Sequence, residues 1–152
     1  MTVHSYRTDV SWSGSTGAGY RVYSRTHTGA ATETGEPLTL SADPAFRGDP
    51  AHPSPEGLLV LSASSCQLLA FLAVAARAGV DVLDYRDTAD ATMDDAVAPV
   101  GIGVIHLRPV ITVRAGTDHA RVAELVHQGH EECYIANSLR TQVLVTPEIV
   151  DG

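Results

Sequence analysis

The sequence predicts an α+β fold, with antiparallel sheets wrapped around one long, central, buried helix. Three observations predict it. The stretch 57–76 carries no charged residue and is bounded by clear helix signals. Before it lie short alternating segments rich in β-formers. After it come further strand patterns with one amphipathic helix among them, and runs of strands with few helices point to α+β rather than to alternating βα units.

"YRTDVSWS" alternates polar and apolar residues, "STGAG" reads as a turn, and "YRVYSRTHT" alternates again. "GAATETGEP" is a second turn and "LTLSA" a short third strand, so 1–42 are strands. "DPAFRGDPAHPSP" places four prolines in thirteen residues, which makes 43–53 a loop. The central helix runs over 54–79, with Ser54 as N-cap, Pro55 at the first helical position and Gly79 just past the end. Its apolar surface on all sides predicts burial on all sides.

The remaining residues, 80–152, read as ββαβ. "VDVLDYRDTADATMDD" begins as a strand and ends as an acidic turn. "GIGVIHLRPVITVRAG" is one strand, at an edge or bulged because Pro109 cannot donate to a ladder. "DHARVAELVHQGHEECYIANSL" is one amphipathic helix capped by Asp118, and "TQVLVTPEIV" is the last strand. One domain of 152 residues is large enough for a real core.

Composition narrows the function classes. Hydrophobic residues are 44%, charged residues 18% and the net charge is -8, with no basic run or aromatic-basic stripe. Nucleic acid is therefore an unsuitable partner. The N-terminus lacks a signal-peptide pattern, and the serines and Gln67 inside the central helix argue against a membrane span. A cytoplasmic protein without cofactor or bound metal is the expectation. In that compartment two cysteines are more often catalytic or metal-binding than structural.

Cys66 lies about twelve residues into the central helix, and Cys133 late in the second helix. They could be unrelated core residues, since free cysteine is among the most buried residue types. Cys133 could instead join His127 and His130 in a zinc site, at a loose i, i+3, i+6 spacing. Or the two could form a redox pair. A buried nucleophilic thiol needs a nearby cation to offset desolvation, and a carboxylate would hold that cation. Arg47 in the loop and Glu56 at the helix start supply those types. Glu56 precedes Cys66 by ten residues, ~15 Å along a straight helix, so the two cannot meet within one helix. A second copy of the chain could bring Arg47 and Glu56 over Cys66, which predicts a homodimer with shared sites. Glu131 and Glu132 beside Cys133 would raise its thiol pKa.

The combination "SPEGLLVLSASSCQLLAFLAVAARAG" followed by "VAELVHQGHEECYIANSL" resembles the OsmC/Ohr family, the osmotically inducible and organic hydroperoxide resistance proteins. The shared pattern is a Pro-Glu helix start, a cysteine ten residues after that Glu, and a second cysteine late in the chain. The resemblance spans nearly the whole chain. It implies an OsmC-like fold, an intertwined homodimer, and a cysteine-based peroxidase that reduces organic hydroperoxides to alcohols.

In it Cys66 would attack the peroxide and form a sulfenic acid. Cys133 would resolve that acid as a disulfide, a lipoyl-type dithiol would recycle the pair, and Glu56 would position the activating arginine. Arg47 matches the OsmC-type position for that arginine, while Arg21 and Arg25 match the hairpin position of the Ohr type. Tyr134 stands where the family often has proline, and "SASSCQLL" is more polar than the family pattern. The alternative from another class is a non-enzymatic protein of the same fold that binds a small hydrophobe.

Overall fold

The computed structural model describes residues 2–32 and 34–152, so Glu33 of the second turn lies outside the described residues. The chain divides into two compact units, one up to Leu58 and one from Leu59 to Gly152.

In the first unit, β1 (Thr8–Ser11), β2 (His27–Ala31) and β3 (Pro37–Leu40) form an antiparallel sheet in that order. Residues 20–24, expected as strand, form turns instead. The cause is Arg25. Its guanidinium lies 3.8 Å from the Tyr23 ring centre and 4.7 Å from that of Tyr20, and its nitrogens donate to the carbonyls of both residues. Closing those bonds curls the segment back on itself, which an extended strand cannot do.

After β3 the loop is tightly bonded. The Asp43 side chain caps a short 3-10 turn, Pro44–Phe46, and buried Ser41 accepts from the Asp49 N–H at 3.0 Å. Gly48 sits where a Cβ would fall 1.5 Å from the Ala42 carbonyl oxygen, so no other residue fits.

Helix α1 (Pro55–Arg77) starts and stops as its signals predict. Ser54 Oγ accepts from the Gly57 N–H at 3.2 Å. At the other end Gly79 takes φ 71°, and the Gly79 and Val80 N–H groups reach the Ala76 and Ala75 carbonyls. That double bond pattern closes the last turn.

The second unit carries two three-stranded sheets in the orders β4-β7-β9 and β5-β6-β8. The strands are β4 (Val82–Asp87), β5 (Asp90–Met93), β6 (Ile102–Leu107), β7 (Pro109–Val113), β8 (Gln142–Val145) and β9 (Glu148–Asp151). The pairs β4–β7 and β5–β6 are antiparallel, whereas β6–β8 and β7–β9 are parallel, so both sheets are mixed.

Three expectations change here. The segment containing Pro109 is two strands in different sheets, and Pro109 is the buried first residue of β7, the middle strand of its sheet. A first position tolerates a residue without an N–H, so the edge placement is unnecessary. Pro147 divides the last strand into β8 and β9 in the same way. The acidic turn after β4 also contains a strand, β5.

Helix α2 (His119–Glu131) is capped by Asp118, whose side chain accepts from the Ala120 N–H. The helical pattern then breaks, and a short helix α3 (Tyr134–Ser138) follows. Cys133 is therefore the N-cap of α3 rather than a residue late in one long helix.

The core has two clusters. Phe71, Val74 and Ala75 of α1 pack with Ile111, Val113, Val122, Leu125 and Val126. Ala63 packs with Ile105, Leu107 and Val143, flanked by Ile135, Ala136 and Leu139.

The central helix is not buried on all sides. Its buried residues, Ala63, Gln67, Phe71, Val74 and Ala75, occupy one face. Leu61 and Leu69 on the opposite face are 62% and 64% exposed. By length and composition α1 could cross a membrane, yet only 28% of its most apolar stretch is buried within the chain.

Candidate thiol site

The second unit brings Cys66 and Cys133 together. Each is a free thiol, with Cys66 half-buried and Cys133 buried. At 100° per residue Cys66 falls on the shoulder between the buried and exposed faces of α1, which is why it is accessible while its neighbour Gln67 is not. Burial pushes the Cys133 thiol up to about 11, and the adjacent Cys66 side chain pushes the same way. The N–H groups of Ala136 and Ile135 at the start of α3 act in the opposite direction. The flanking carboxylates are not the cause. Glu132 turns away to Arg77 at 2.6 Å, and Glu131 lies 3.6 Å from His127.

The approach of the two cysteines depends on residues that sequence reasoning passed over. Gly129 of α2 lies against the α1 backbone, where a Cβ would fall 2.8 Å from the Phe71 Cα. A glycine inside a helix costs about 1 kcal/mol relative to alanine, so its presence needs a packing reason. Close helix contact is that reason here.

One turn earlier on α1, fully buried Gln67 bridges the same gap. Its amide donates to the Val126 carbonyl at 3.2 Å and its oxygen lies 3.3 Å from His130 Nδ1. Burial lowers the His130 pKa, and because the Gln67 oxygen can only accept, the Nδ1 that faces it is the donor.

The serine-rich character of "SASSC" also finds a use. Ser64 Oγ donates to Asp87 Oδ2 at 2.5 Å, and the other oxygen of Asp87 accepts from the Arg108 N–H at 2.7 Å. Two residues back along β4 and on the same face, Tyr85 places its ring 6.0 Å from that of Phe71. Its hydroxyl is buried without a hydrogen-bond partner among the described residues. The one signal in the sequence is the spacing of Tyr85 and Asp87 in a strand that follows the long helix.

The zinc alternative loses its geometry. His127 faces Glu131, His130 faces Gln67, and Cys133 faces Cys66. Among the described residues no three metal-ligating side chains converge.

Arg47 and Glu56 belong to the first unit. Arg47 is exposed and holds φ 66°, the one positive φ outside glycine among the described residues. A non-glycine residue in that region costs about 1–2 kcal/mol and persists where its surroundings impose it. Here the bonds of the Pro44–Phe46 turn impose it. Glu56 has a buried carboxylate oxygen without a partner among the described residues. Arg25 already spends its guanidinium on Tyr20 and Tyr23, and His52 lies 3.8 Å from Asp49.

An α+β protein with two facing free thiols, one on a central helix and one at a helix cap, is the class that fold and site define. The chain belongs to the OsmC family, whose model, described as OsmC-like protein, matches residues 48–148. Among solved structures it is similar to an OsmC-like protein of unknown function from Vibrio cholerae. That match has 27% identity and TM-score 0.85, covering 95% of this chain and 99% of the other. It also resembles the organic hydroperoxide resistance protein OsmC from Legionella pneumophila, at 17% identity and TM-score 0.70, with 99% of each chain covered. A third is an organic hydroperoxide resistance protein from Elizabethkingia anophelis, at 16% identity and TM-score 0.72, again with 99% of each covered. Among curated proteins no match to the chain was found.

Proposed function

We propose that the protein is a cysteine-based peroxidase that reduces organic hydroperoxides to alcohols. The observation that carries this reading is the pairing of an accessible Cys66 with a buried, protonated Cys133 beside it. The Cys66 thiolate attacks the distal peroxide oxygen. The O–O bond breaks, the alcohol leaves, and Cys66 becomes a sulfenic acid. Cys133 then attacks that sulfur, the S–S bond forms, and the hydroxyl departs as water. A dithiol of the lipoyl type returns both thiols by exchange. The protein acts in the cytoplasm.

The active unit is a homodimer with shared sites. The exposed apolar face of α1, with Leu61, Leu69 and Leu72, is what a second copy would cover. The partner chain brings Arg47 to activate the thiolate, and Glu56 holds that arginine. The unpartnered Glu56 oxygen and the imposed backbone of Arg47 support these roles.

The test is a free-thiol count before and after one equivalent of cumene hydroperoxide per chain. Loss of two thiols in the native protein and of none in Cys66→Ser is the expected result. A native protein that keeps both thiols would overturn the reading and favour a small-hydrophobe binder.

A further inference from the structure

Gln67 follows Cys66 directly and is fully buried. A buried amide needs partners at both ends, and an apolar residue of the same shape would sit there at less cost. The last turns of α2 meet both ends. The Val126 carbonyl can only accept, so the amide nitrogen faces it, at 3.2 Å. The amide oxygen is thereby turned to His130, whose Nδ1 donates at 3.3 Å. His130 carries the connection onward, because its carbonyl accepts from the Cys133 N–H at 3.1 Å. Asn137 closes the far side of the same break. Its N–H reaches the Cys133 carbonyl at 3.0 Å, and its side-chain amide donates to the Glu131 carbonyl at 2.9 Å. Cys66 and Cys133 are thus joined by one peptide bond, Gln67, His130 and one backbone hydrogen bond. Cys133 itself has extended backbone, φ -75° and ψ 104°, so it has left the helical ladder and its place depends on such ties.

We propose that Gln67 and His130 are positioning residues for the resolving step, a side-chain brace that holds the break carrying Cys133 against Cys66. Only the order in which the two cysteines act is taken from the peroxidase reading. In that step the Cys133 sulfur bonds to the Cys66 sulfur, the S–O bond of the sulfenic acid breaks, and the hydroxyl leaves as water with the Cys133 proton. Gln67 and His130 neither give nor take a proton. Their part is geometric. Disulfide closure tolerates only a narrow range of Cα and Cβ separations. A misplacement of about 1 Å can cost on the order of 100-fold in rate when the reacting groups are held within one molecule. The brace fixes α1 one residue from the first sulfur and α2 three residues from the second.

The test follows native protein and variants in Ellman's reagent, which needs no peroxide. Cys66 releases one thionitrobenzoate as it forms a mixed disulfide. Cys133 releases a second as it attacks the Cys66 sulfur, leaving a disulfide and no bound reagent, read by mass. The ratio of the two rates is the readout. Gln67→Leu and His130→Leu are each expected to slow the second phase about tenfold relative to the first. The double variant should be no slower than either single one, since all three break the same connection. His130→Asn should restore the native ratio, because its amide nitrogen lies as many bonds from Cβ as Nδ1 and donates as Nδ1 does. Side chains that served stability alone would alter unfolding and leave the ratio untouched. An unchanged ratio, additive effects in the double variant, or an Asn variant as slow as the Leu variant would overturn the proposal, as would a native protein without a second phase. Failure of the peroxidase reading shows separately, as hydroperoxide left unconsumed by a protein whose second Ellman phase still depends on Gln67 and His130.

Discussion

The two cysteines occupy opposite kinds of site. Cys66 sits within an unbroken helix, on the border between its packed and exposed faces, where a reagent can reach it. Cys133 sits at a break between two helices, buried, with its thiol pushed up to about 11. The contrast teaches how one fold gives two similar side chains different properties. Accessibility is set by angular position on a helix, while reluctance to ionise is set by desolvation. In the proposed reaction, a resolving thiol that stays protonated would not compete for peroxide and would act only once its neighbour had been oxidised.

The largest effect that could break this contrast is on turnover. Cys66→Ser should reduce hydroperoxide consumption to the uncatalysed level, whereas Cys133→Ser should stop after one equivalent with a trapped sulfenic acid, read by dimedone labelling and mass. Equal loss in both variants without sulfenic acid would erase the division of labour.

Next comes Gly129→Ala. Helix propensity alone predicts stabilisation of about 1 kcal/mol. The added methyl instead meets the Phe71 backbone, so we expect a loss of about 1–3 kcal/mol, measured by denaturant unfolding, and slower disulfide formation.

The elevated Cys133 thiol sharpens the comparison through pH. Its proton is held more tightly in the folded chain than at the ordinary value of 9.0. Its contribution to stability is therefore complete below about pH 9 and is lost as pH rises toward about 11. The denaturant midpoint should fall over that window, and Cys133→Ala should flatten the fall. The smallest effect is expected from Ser64→Ala, about 1 kcal/mol, because Asp87 loses one donor but keeps the Arg108 N–H.

Local chemistry made much of the fold legible. Ser54 and Gly79 bound α1 as their capping chemistry requires, Asp118 caps α2, and the two thiols come together. Where local patterns misled, a distant or side-chain bond decided. Residues 20–24 alternate like a strand, but the Arg25 guanidinium curls them into turns. Residues 102–113 read as one strand, yet β6 and β7 join different sheets, and each gains a parallel partner from the C-terminus.

By itself the sequence determined both ends of α1, the start of α2 and the α+β class, because caps, periodicity and residue chemistry act over a few positions. Only the tertiary structure decided that Gly129 lets α2 touch α1, that Gln67 ties them, that Cys133 is a helix cap, and that the Tyr85 hydroxyl is buried without a partner among the described residues. Those facts depend on which surfaces meet after the chain has closed. Burial and partnership, which set a thiol's readiness to react, do not exist until it has.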